Sequence, residues 1–208
     1  MLKQLPVGPM ANFCYIAGAD ASSSAVIVDP GWDVPGITAA LKDLKRSPEA
    51  ILLTHGHFDH VRAAAELSRA FAIPVYIHEV DVPLLESAPE KLVKVSSGQE
   101  VSAAGLSFKF INTPGHTPGS CCILAGGMLF TGDTLFVEEV GRVDLPGSNP
   151  EHMYESLLSL SRLPQETAVY PGHAYGPRAV STIGDELSHN PYLKLAVKGK
   201  GYFMEAMA

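Results

Sequence analysis

The rhythm of apolar and polar positions divides this chain into short elements. Residues 13–17 and 24–28 are apolar runs rich in strand-forming side chains, joined by the small-residue segment 18–23, and they predict two strands. Asp29-Pro30-Gly31 stops the second. Apolar residues then recur at Ile37, Ala40, Leu41 and Leu44, a helical stripe that Pro48 breaks. Residues 50–53 form an unbroken apolar run, as expected of a buried strand. Residues 61–71 return to helical spacing, with Val61, Ala64, Ala65 and Leu67 or Ser68 inward, and residues 74–77 resume as a strand.

Residues 105–112 alternate as a strand, and 120–124 with 128–131 predict a hairpin around Ala125-Gly126-Gly127. Residues 148–160 predict a helix: Ser148 and Glu151 have capping-box spacing, Pro150 falls in the first turn, and Leu157, Leu158 and Leu160 are apolar contacts. Residues 168–170 are a short strand before Pro171-Gly172-His173, and the pattern from about residue 178 is helical with a break at Asn190-Pro191. Strands lead and strands then alternate with helices, which is an α/β pattern. There is no repeat, linker or low-complexity segment, so one domain over residues 1–208 with a short helical tail is expected.

Composition narrows the function classes. The 46% apolar content is that of a globular protein, and a formal net charge of −7 disfavours nucleic acid, which attracts basic surfaces. That charge would also repel a small anion unless a bound metal reversed the local field. The 3 cysteines, Cys14, Cys121 and Cys122, are odd in number and two are adjacent, so they predict small buried hydrophobes in a reducing cytoplasm and no disulfide framework. Residues 1–9 lack the apolar core of a signal peptide, and no apolar run approaches membrane-spanning length.

Chemistry enters directly after the apolar run 50–53, with His55-Gly56-His57-Phe58-Asp59-His60. Neutral imidazole and carboxylate are common ligands of first-row metals. His55 and His57, two apart on an emerging loop, can point at one ion; Asp59 and His60 follow at once and can reach a second beside it. Three later segments share one punctuation, a strand, a turn residue and then a ligand-type side chain: Thr113-Pro114-Gly115-His116, Phe130-Thr131-Gly132-Asp133 and Tyr170-Pro171-Gly172-His173. Their glycines let the backbone approach closely. His78, His152 and His189 lack that punctuation. Asp29 reads slightly more as a turn carboxylate before Pro30 than as one that orients a ligand histidine, and the two roles are compatible.

This ordered set, together with Val28-Asp29-Pro30-Gly31, resembles the metallo-β-lactamase superfamily over residues 12–173. The resemblance implies an αββα sandwich, two mixed sheets flanked by helices, with metals at one edge. It implies two divalent ions, zinc first and iron or manganese as alternatives. One would take His55, His57 and His116; the other would take Asp59, His60 and His173; Asp133 would bridge them. An aspartate bridge with Asp-His in the first motif resembles the glyoxalase II type of site. Catalysis would then rest on Asp59, His55, His57 and Asp133. A metal-bridging hydroxide would attack a thioester, S-lactoylglutathione being one candidate, and a thiolate would leave with little need of a proton.

The substrate side is thinner. Arg142 aligns with a basic position that contacts glutathione in glyoxalase II, Tyr175 matches a tyrosine there, and Asp144 replaces an aromatic residue. Arg142 reads equally as an ion-pair partner of Asp144. Lys194, Lys198 and Lys200 read as a solvated helix face. The same residues are compatible with a persulfide dioxygenase that uses one iron at His55, His116 and Asp133, and with lactone hydrolysis. A purely structural metal module is disfavoured, because no cysteine falls in a ligand motif. The expected partner is a small-molecule thioester, with no nucleic acid and no membrane.

Overall fold

The computed structural model describes residues 1–207. Two six-stranded mixed sheets face each other. The first runs in chain order: β1 (Leu2–Val7), β2 (Asn12–Ala17), β3 (Ser24–Val28), β4 (Ser47–Leu52), β5 (Val75–His78) and β6 (Leu92–Val95). Its first three strands pair antiparallel and β3 to β6 pair parallel. The second contains β7 (Glu100–Ala103), β8 (Leu106–Asn112), β9 (Cys121–Ala125), β10 (Met128–Gly132), β11 (Ala168–Pro171) and β12 (Ser181–Thr182), in that lateral order. Only β10 and β11 pair parallel there.

Side-chain alternation on the strands makes the layers. Phe13, Tyr15 and Ala17 of β2 face the second sheet, where Phe108, Phe110, Ile123 and Phe130 meet them. Cys14 and Ile16, between them in sequence, face outward onto Ile37 and Leu41 of α1 (Val34–Asp43). Leu67 of α3 (Ala64–Phe71) joins that outer layer. Cys122, Leu129 and Val169 of the second sheet pack on Met153, Leu157 and Leu160 of α4 (Pro150–Leu160) and on the C-terminal helices. The result is the expected αββα sandwich. All three cysteines are buried and free, and burial holds their thiols well above the ordinary range, Cys122 at about 12.

Several details depart from the pattern reading. The run 61–71 is not one helix: a single turn, α2 (Phe58–Val61), precedes α3, and Asp59 and His60 sit on that turn. The cap of α4 is Asn149, whose side chain accepts from Glu151 N at 2.8 Å and His152 N at 3.1 Å, while Ser148 turns back to Leu145 O. Pro48 does not break the helix, which ends at Asp43 with Lys45 turning at positive φ; it lies inside β4, where the register shifts. The tail begins with β12 and then forms α5 (Ile183–His189), α6 (Pro191–Lys198) and α7 (Lys200–Ala206). No helix among the described residues is long and apolar enough to cross a membrane.

Candidate metal centre

The cluster forms where strands end. His55 and His57 follow β4, Asp133 follows β10, and His173 follows β11, all at carboxyl ends of strands in parallel pairs. Functional loops of α/β sheets occupy such positions because the strands deliver backbone to one edge. His116 comes from the loop between β8 and β9. Gly172 shows why the punctuation needs small residues: a Cβ there would lie 2.4 Å from Asp133 Oδ1.

All seven predicted ligand residues converge. Ligand atoms of His55, His57 and His116 lie within 4.8 Å of one another, as do those of Asp59, His60 and His173. His57 Nδ1 and His116 Nε2 are 2.9 Å apart, and His60 Nε2 and His173 Nε2 are 3.1 Å apart. Asp133 faces both groups: Oδ1 is 3.3 Å from His60 Nε2, and Oδ2 is 3.5 Å from His116 Nε2 and 3.3 Å from His173 Nε2. His78, His152 and His189 belong to neither group.

The outer hydrogen bonds explain which ring nitrogens face the centre. His116 Nδ1 donates to Arg142 O at 2.9 Å, and His173 Nδ1 donates to Met10 O at 2.8 Å. His60 Nδ1 donates to Asp29 Oδ2 at 3.2 Å. Thr54 Oγ1 gives its proton to Asp29 Oδ2 at 2.6 Å, so it accepts from His55 Nδ1 at 3.1 Å. In these four rings Nδ1 is occupied and Nε2 is left for the centre. His55 Nε2 and Asp133 Oδ1 are buried without a hydrogen-bond partner. Buried polar atoms are seldom left so, and a cation is what this donor set fits. Asp29 therefore both stops β3 and orients His60.

Charge divides the centre. Burial works against a proton on His60, but Asp133 and Asp29 beside it prevail and hold its pKa well above the imidazole range. His173 behaves alike: burial opposes its charge, Asp133 and Asp59 outweigh it, and the pKa stands at about 9. Asp59, despite burial, is held at about 2 by His173, His60 and Asn12. His55 and His57 are pushed down instead, first by burial and then by their histidine neighbours.

Sequence reasoning missed Asn12. Its Nδ2 donates to Asp59 Oδ2 at 2.8 Å and to Asp59 O at 3.2 Å, fixing that carboxylate. Asn12 lies at the start of a strand whose pattern reads only as core, and nothing in the sequence marks it.

A cavity of about 380 Å³ opens over the cluster. Met10, Phe58, Phe136, Leu145, Pro146 and Tyr175 give it an apolar rim. Tyr175 stacks on His173, ring centroids 4.5 Å apart and planes 11° from parallel. Arg142 also lines the cavity, but its fork is filled: Nε donates to Asp144 Oδ1 at 2.9 Å and Nη2 to Asp144 Oδ2 at 2.8 Å. Lys198 lies against the Tyr202 ring and Lys200 pairs with Glu151, neither at the cavity.

Comparison with known proteins follows the same lines. A family model described as "Metallo-beta-lactamase superfamily" matches residues 7–173. The chain is 35% identical over 189 residues to a probable polyketide biosynthesis zinc-dependent hydrolase, BaeB, of Bacillus velezensis, covering 90% of this chain and 84% of that one. The crystal structure of ETHE1 from Myxococcus xanthus superposes with a TM-score of 0.86 at 33% identity, covering 100% of this chain and 89% of the other. TTHA1623, in a di-iron-bound form, gives a TM-score of 0.81 at 35% identity, covering 91% and 99%.

Proposed function

The chain belongs to the metallo-beta-lactamase superfamily as a metal-dependent hydrolase, and from that premise we propose that it holds two divalent ions and cleaves a thioester. One observation carries the count: the single carboxylate of Asp133 faces both ligand groups. His55, His57 and His116 would hold one ion, and Asp59, His60 and His173 the other. Zinc is supported by the name of the Bacillus velezensis relative. Two such ions supply a water acidic enough to act as nucleophile near neutral pH and a Lewis acid for a carbonyl oxygen.

The chain's own residues favour a thioester. Asp59, fixed by Asn12 Nδ2 at 2.8 Å, would accept a proton from the attacking water. No cysteine reaches the cavity, since all are buried in the core. A thiol, with a pKa of about 8.5, leaves as its anion far more readily than an alcohol or amine, so it needs no acid here. Met10, Phe58, Phe136 and Tyr175 would hold an acyl group and shed water from the reacting bond. S-lactoylglutathione stays a candidate, as in glyoxalase II, although Asp144 already occupies the Arg142 fork that would meet a substrate anion.

A second reading rests on the likeness to the ETHE1 structure: a persulfide dioxygenase with one iron at His55, His116 and Asp133. The test is elemental analysis of protein purified without added metal, with hydrolysis assays on S-lactoylglutathione and simple acyl thioesters. Two ions per chain and thioester cleavage are expected. One iron per chain with oxygen uptake on glutathione persulfide would replace this reading with the second.

A further inference from the structure

We infer that Asp81 is the positioning residue of the first ligand group: its carboxylate clamps together the two loops that carry His57 and His116. The inference rests on the metal centre proposed above. Asp81 lies in a 3-10 helix, Glu79–Leu84, that follows β5, and it is fully buried. Its Oδ2 accepts from Gly56 N at 2.9 Å and from Thr117 Oγ1 at 2.6 Å, and its Oδ1 accepts from Gly119 N at 2.7 Å. Gly56 stands between His55 and His57, and Thr117 follows His116 directly. One carboxylate therefore binds the backbone of one ligand loop to the backbone and side chain of the other.

The approach is tight from both sides. A Cβ at Gly119 would lie 2.5 Å from Asp81 Oδ1, and a Cβ at Gly56 would lie 2.8 Å from Asp81 O. Ser120 Oγ braces the same loop, accepting from Thr117 N at 3.1 Å. All three donors to Asp81 are neutral, so a buried carboxylate is kept without a cation beside it. Burying a charge in this way is costly unless hydrogen bonds satisfy it. Here they do, and they set the loops so that His57 Nδ1 and His116 Nε2 stand 2.9 Å apart. Asp81 touches no ligand ring; it acts through the loop geometry. Residues of this kind typically change metal affinity by roughly 10–100-fold when altered.

The experiment uses the full chain, stripped of metal, with zinc alone as the probe in a chelator-competition titration. Asp81→Asn keeps the shape but sets an amide N–H against Gly56 N–H or Thr117 O–H. Thr117→Val removes one donor, and Thr117→Ser restores it. The expected result is a loss of roughly 10–100-fold in the affinity of one ion for D81N and a smaller loss for T117V. T117S should match wild type, the other ion should be unaffected, and D81N should add nothing in a His116→Ala background. Thermal melting of the metal-free variants reports the folding cost separately. Wild-type zinc affinity in D81N and T117V, whatever the melting temperature does, would overturn the inference, as would equal weakening of both ions. If D81N does not fold, the T117V and T117S pair decides. A wild type that takes a single ion would sink the two-ion reading, while a D81N effect on that ion would still support the clamp.

Discussion

The two halves of the centre meet at Asp133 but are built on different electrostatics. In the half of His55, His57 and His116 the rings stand among other imidazoles, and beyond Asp133 the buried carboxylates that serve it act at one remove: Asp81 through backbone and the Thr117 hydroxyl, Asp29 through Thr54 on His55. In the half of Asp59, His60 and His173 the carboxylates touch the rings: Asp29 on His60 at 3.2 Å and Asp59 on His173 at 3.3 Å. His55 and His57 thus disfavour protons, and His60 and His173 attract them. A cation entering the second half displaces protons that the carboxylates hold there, whereas one entering the first meets bare lone pairs on His55 and His57.

Removing what the halves share gives the largest effect. Asp133→Ala should cost both ions their common ligand and lower hydrolysis by roughly 10³-fold, equivalent to several kcal/mol of transition-state stabilisation. Steady-state kinetics beside metal content check it. A residual rate near wild type would show that the halves do not depend on one bridge.

The next test sets the halves against each other in the metal-free protein. His173 has a raised folded pKa, about 9 against an ordinary 6.5, so its stabilisation is complete below about pH 6.5 and fades as pH climbs through 9. His57 has a lowered pKa, so it destabilises the fold as pH falls below 6.5. Asp59, lowered to about 2 from 3.8, stabilises above 3.8 and loses that as pH falls through 2. Melting temperature should therefore decline from pH 6.5 to 9 in wild type and decline less steeply in His173→Gln, where His60 alone of the raised pair remains. In His57→Gln the alkaline decline should remain. Identical profiles for the two variants would erase the distinction.

Asn12→Ala sharpens the comparison further. Freed from its donor, Asp59 should hold an ion less well, by roughly 10-fold, with the first half unchanged in a zinc titration. Smallest is Asp144→Asn. The Arg142–Asp144 pair is two-thirds exposed, and solvent screens such pairs, so stability should hardly move. The released guanidinium should lower KM several-fold for anionic thioesters and leave neutral ones alone, which a paired substrate assay would read.

Much of this was legible in the residue order. His116, Asp133 and His173 each follow a strand and a turn residue, a local pattern that fixes their place at a sheet edge, and the first motif follows β4 directly. The hairpin of β9 and β10 likewise carries its own turn signal. What escaped depends on distant partners. Strands β1, β6 and β7 hold few fully buried side chains, and their partner strands define them. Asn12 gains its role from α2, 47 residues away, and Asp81 gains its role from loops 25 and 38 residues away. Arg142 and Tyr175 were found at the cavity, but only the structure shows the Arg142 fork filled by Asp144.

The most direct test of the divided centre is zinc stoichiometry of wild type, His116→Ala and His173→Ala, each stripped and reloaded with zinc alone. Two ions should bind to wild type and one to each variant, with the alkaline fall in metal-free stability reduced only in His173→Ala. A single ion in wild type, lost in either variant, would contradict two halves joined at Asp133.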